Sequence, residues 1–154
     1  MTRFARALAT TLTTVLVVGC GDADPGADLR QVVERNRARW VSARPDAYRY
    51  ELARSCFCPE TYLGPVIVSV VDGQVVERRY SGSGEPVDEE AAPAFPTVEG
   101  LFDILLDAID AGAFSVQVEW DDATGIPLHF FIDYSQAIAD EESDYTVVAL
   151  PVAG

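Results

Sequence analysis

Val66-Ile67-Val68-Ser69-Val70-Val71-Asp72-Gly73-Gln74-Val75-Val76-Glu77-Arg78-Arg79-Tyr80 is the stretch that decides the fold. Two runs rich in β-branched residues flank Asp72-Gly73, and Asp-Gly suits a two-residue turn because both positions tolerate positive φ. The stretch therefore predicts a β-hairpin. Upstream, Tyr48, Tyr50 and Leu52 alternate with Arg49, Glu51 and Ala53, the period of a half-buried strand. Before that strand, Leu29, Val32, Val33 and Trp40 recur at helical spacing over 28–44. Asp28 and Gln31 are placed as a capping box, and Pro45 is the stop.

Downstream the same grammar returns. Ser81 to Pro96 is rich in glycine and proline and reads as an exposed loop between two halves. Thr97 is the N-cap of a second helix whose apolar face is Val98, Leu101, Phe102, Leu105 and Ile109, with Gly112 just past its end. Val116, Val118 and Trp120 alternate with polar residues, a turn follows through Asp121–Gly125, and strands are expected over 128–135 and 145–152. The order helix–three strands, twice, predicts an α+β domain over 28–154, an antiparallel sheet of about six strands with both helices packed on one face. The order also admits an internal duplication, although no residue-level repeat accompanies it.

The chain's first residues speak to location. Arg3 and Arg6 precede an apolar run, and Leu16-Val17-Val18-Gly19-Cys20 resembles the cleavage site of a bacterial lipoprotein signal. The expectation is a signal peptide over 1–19, lipidation of Cys20 (palmitate or a similar acyl chain), a tether over 20–27, and a home in the cell envelope. That home would be the outer face of the cytoplasmic membrane or the outer membrane. The run is too short and too rich in threonine for a spanning helix, which needs about 20 apolar residues.

All eleven basic residues are arginine. From residue 20 onward nine arginines stand against 25 acids, and every residue after Arg79 is acidic or uncharged at neutral pH, His129 aside. That balance excludes nucleic acid as a partner and points to a basic protein partner or to a solvated surface. The acidic residues offered as an interaction face are Glu99, Asp103, Asp107 and Asp110 on the second helix, with Asp121, Asp122, Asp140, Glu141 and Glu142 in later turns.

Ser55-Cys56-Phe57-Cys58-Pro59 is the sharpest local motif. In a straight strand the two cysteines would stand roughly 6.6–6.8 Å apart at Cα, so a disulfide needs a bend at Phe57. Three readings stand side by side: a small structural disulfide, two free thiols, and a redox or metal role. Redox chemistry asks for an electropositive setting, and only Arg54 is near in sequence. His129 is the sole histidine, so neither a zinc set nor a serine–histidine–acid set can be assembled, and no cofactor is implied. Calcium could be held if Asp121, Asp122, Asp133 and the 140–144 acids gathered, but the spacing lacks an EF-hand loop.

Taken together, Trp40, Tyr48-Arg49-Tyr50, Cys56-Phe57-Cys58, Asp72-Gly73, Thr97-Val98, Leu101-Phe102 and the block from Asp121 through Gly125-Ile126-Pro127 to Asp133 resemble a family of bacterial secreted proteins and lipoproteins of unknown function. Ile126 departs from the aromatic more usual before that proline. The resemblance implies an extracytoplasmic α+β domain and carries no activity. The functional expectation is a membrane-tethered, non-enzymatic binding module, with thiol chemistry through Cys56 and Cys58 as the alternative.

Overall fold

A computed structural model describes residues 25–150. The first helix, α1 (Pro25–Ala43), is followed by β1 (Ala47–Cys56), β2 (Val66–Val71) and β3 (Gln74–Tyr80). Then come α2 (Val98–Asp110), β4 (Ser115–Trp120), β5 (Pro127–Asp133) and β6 (Ser143–Leu150). The six strands form one antiparallel sheet in the order β3-β2-β1-β6-β5-β4.

The hairpin forms as its sequence dictates, with Asp72 at φ 50° and Gly73 at φ 74° between β2 and β3. The pairing that joins the halves is β1 with β6, in register from Arg49 opposite Leu150 to Cys56 opposite Ser143. This arrangement does not repeat a helix–three-strand unit. The strand after α1 is central, whereas the strand after α2 is an edge, so the duplication suggested by element order is not present in the topology.

Alternation gives the sheet one buried side. Tyr48, Tyr50 and Leu52 of β1 lie in the core with Val66, Val68, Val70, Phe130, Ile132, Tyr145 and Val147. Arg49, Glu51, Ser69, His129 and Phe131 lie on the other side, partly exposed.

The expected pair of helices packed on one face of the sheet is corrected. The sheet is the largest part of the molecule, and the helices are not equivalent covers for it. α2 buries Val98, Leu101, Phe102, Leu105 and Ala108 and approaches β4 and β5. α1 packs chiefly along α2, and of its side chains only Val33, Asn36 and Trp40 are fully buried. The physical reason is α1's narrow apolar stripe, flanked by arginines that bind α2 instead of dissolving in a core. α1 also starts at Pro25, so Asp28 lies within its first turn rather than capping it.

α2 begins as expected: the Thr97 hydroxyl oxygen accepts from the Gly100 N–H at 3.2 Å. The 81–96 segment is more ordered than a free loop. Pro86 bridges to Arg79, and Val87 N–H donates to Arg78 O, so its first part lies along the outer side of β3.

Candidate interaction surface

β1 ends at Cys56, and the chain turns at Phe57 so that the Cys58 N–H donates to Cys56 O at 2.9 Å. That bend brings the two Cα atoms to 5.3 Å, and the Cys56 and Cys58 sulfurs are bonded as a disulfide. Phe57, at the apex, is 82% exposed. Immediately afterward Pro59 leads into a short 3-10 turn (Glu60–Tyr62), and Arg54 N–H reaches Leu63 O at 2.6 Å, tying the return of the chain to β1. The aromatic therefore stands on a bracket fixed at both ends.

Beside it runs a shallow groove of about 280 Å³ lined by Ser55, Cys56, Phe57, Phe131, Glu142 and Asp144. The Asp144 carboxylate lies 2.7 Å from His129 Nε2. Asp140 and Glu141 sit in a short exposed 3-10 turn just before Glu142 and β6. The groove beside the disulfide is thus acidic, not the electropositive setting that thiol chemistry favours.

The other acids offered as one interaction face lie elsewhere. On α2 they meet arginines of α1 and Arg44 just past its end. Arg37 Nη1 lies 2.9 Å from Asp103 Oδ1, Arg44 Nε lies 2.8 Å from Glu99 Oε1, and Arg30 pairs with Asp110. Arg30, Arg37 and Arg44 recur every seven residues, and their partners descend in sequence, so the two helices run antiparallel along an ion-pair ladder. The seven-residue spacing is visible in the sequence, but the acids it meets are not, because the pairing depends on where the two helices lie in space. Asp107 remains exposed on α2.

Asp121 serves the β4–β5 turn. Its Oδ1 accepts from the backbone N–H and the hydroxyl of Thr124, each at 2.6 Å, and these bonds hold its carboxyl below the usual range. Asp122 is exposed, and its carbonyl accepts from Arg39 Nη1 at 3.1 Å. This turn lies at the end of the sheet opposite the 140–144 acids, so the acidic residues occupy three places and the calcium set is not gathered. Cys20 lies outside the described residues.

A polar cluster pins the start of α2 to β1. Tyr48 Oη donates to Glu99 Oε2 at 2.8 Å and accepts from the Val98 N–H at 3.2 Å, while Tyr50 Oη donates to Pro96 O. Trp40 meets the Tyr48 ring edge-on at 5.0 Å between centroids. Burial, reinforced for Tyr48 by the hydrogen bond to Glu99, pushes both phenols well above their ordinary range. The Arg44 contact to Glu99 is a charge contact rather than an aligned hydrogen bond.

What fold and site define is a sheet domain with a disulfide-braced aromatic knuckle and no assigned chemistry. Residues 32–152 match the model of DUF6174, a family of unknown function, and the chain belongs to that family. Neither the curated proteins nor the solved structures contain a match to it. Among the described residues no helix is long and apolar enough to cross a membrane.

Proposed function

We propose that the protein is an envelope lipoprotein, tethered through Cys20, that acts as a non-enzymatic binding module for a basic protein. The contact surface is the Phe57 knuckle with Glu142 and Asp144 in the groove beside it, and Asp140 and Glu141 in the turn that leads into them. The observation that carries this reading is the exposure of Phe57 at the apex of a bridged backbone turn. A large aromatic presented on a restrained backbone is the kind of group that anchors interfaces, since less backbone entropy remains to be lost on binding. The neighbouring carboxylates supply complementarity to a basic partner and speed its approach. The disulfide suits an oxidising compartment, which supports placement outside the cytoplasm.

The thiol-redox alternative is less well supported, because the acids around the bridge disfavour a reactive thiolate. Two measurements test the proposal separately. Detergent partitioning of Cys20→Ala should move the protein from the detergent to the aqueous phase; unchanged partitioning removes the tether. A photo-crosslinker at position 57 in intact cells should trap a discrete basic protein, with yield falling in high salt and in a Glu141→Gln, Glu142→Gln variant. Crosslinks that are diffuse and indifferent to both changes refute the contact surface.

A further inference from the structure

The two edges of the sheet are treated differently. The outer side of β3 is bonded to residues 85–87 through Tyr80 N–H to Glu85 O and Val87 N–H to Arg78 O. The outer side of β4 has no hydrogen-bonded neighbour among the described residues. Its sequence, Ser115-Val116-Gln117-Val118-Glu119-Trp120, holds neither proline nor lysine; its only guards are the charge of Glu119 and the irregular pairing between Glu119 and Trp120, which leave 115–118 open. Such an edge is a template for another strand.

A second feature adjoins it. A groove of about 870 Å³ opens between the start of α1, the end of α2 and the first residues of β4. Leu29, Ile109, Phe114 and Val116 give it an apolar lining, and Phe114 is 57% exposed. Ser115 and Val116 belong to the groove and to the free edge at once, so the two features form one continuous surface.

We infer that this edge and groove bind an extended segment of a partner protein by strand addition. The alternation of side chains fixes the chemistry of that segment. Residues on the core side of an added strand would meet Val116 and the groove beneath Leu29, and so are apolar. Residues on the opposite side would meet the level of Gln117 and the exposed carboxylate of Glu119, and so are basic or polar. At the groove's rim Arg30 and Asp110 neutralise each other, so the acidic character that an incoming strand meets comes from Glu119 on the edge itself. Residues 20–24 of this chain, which include Asp22 and Asp24 and no large apolar side chain, do not have that chemistry.

The test uses a fluorescein-labelled heptapeptide alternating arginine and valine, titrated with the chain from residue 20 and read by anisotropy and by amide exchange. Saturable binding below 1 mM with slowed exchange confined to 115–120 is expected. N-methylating alternate peptide amides should abolish binding for one set and spare it for the other, because an added strand bonds through one edge only. Phe114→Ala should weaken binding about tenfold, whereas a Phe57→Ser variant should bind undiminished, so failure here is separable from failure of the knuckle. Equal binding of both N-methylated forms, no saturation, or a stable β4–β4 dimer that the peptide does not dissolve would overturn the inference.

Discussion

Gly125 shows how one residue carries two requirements. It holds φ 81° after the Asp121–Thr124 turn, and a Cβ there would stand 2.6 Å from the backbone oxygen of Asn36 on α1. Gly125→Ala should therefore cost about 2 kcal/mol or more, from the left-handed backbone and the collision together, measured by urea unfolding. The disulfide should matter less to stability, because a loop of three residues removes little freedom from the unfolded chain. Replacing Cys56 and Cys58 by serine should cost no more than about 1.5 kcal/mol, while amide exchange at 57–58 accelerates. The tyrosines give a pH dependence with a definite sign. Folding raises the Tyr48 and Tyr50 phenols above their unfolded value, so the protonated form favours the native state. Their contribution is complete below about pH 10 and is lost as pH rises beyond it. An alkaline unfolding curve should accordingly shift to higher pH in Tyr48→Phe, after correction for its lower stability at pH 7; an unshifted curve assigns the transition to other groups.

The helices differ in how they are held, and that difference separates what the sequence disclosed from what it concealed. α2 was readable because every signal is local: the Thr97 cap, four of its five buried apolar residues (Ala108 takes the buried place expected of the partly exposed Ile109) and Gly112 at φ 71° just beyond its end. α1's start was misread because Asp28 looks like a cap, although Pro25 serves an N-terminal turn well. Its ladder to α2 was illegible because ion pairing between helices depends on where each helix lies in space. The Arg44–Glu99 contact is the least exposed rung of the ladder, with side-chain exposures of 29% and 21%. A double-mutant cycle on Arg44→Ala and Glu99→Ala should give a coupling near 1 kcal/mol that shrinks at 1 M salt. Part of the Glu99→Ala loss will belong to Tyr48, which loses its acceptor, and Tyr48→Phe in the same background isolates that part.

At the scale of the molecule, the sheet's centre is made by strands from the two ends of the chain. Local pattern revealed the hairpin over 66–80 and the individual strands, but it could not show that β6 lies against β1, since no turn links them. The knuckle was legible as a motif, and the acids beside it were legible as charge; their adjacency was not, because it follows from Cys56 standing opposite Ser143. The central pairing also sets how stability is distributed. Leu52 and Val147 face each other across β1 and β6, both in the core, whereas Val76 on the β3 edge is 61% exposed. Leu52→Ala should therefore cost about 2–5 kcal/mol, and Val76→Ala about 0.5 kcal/mol or less. Amides of the β1–β6 ladder should exchange only through global unfolding, while those of β4 exchange by local opening, its outer side having no bonded neighbour among the described residues. Should β4 prove as protected as β1 in the isolated protein, its edge is already covered, and the place we assign to an incoming strand is taken.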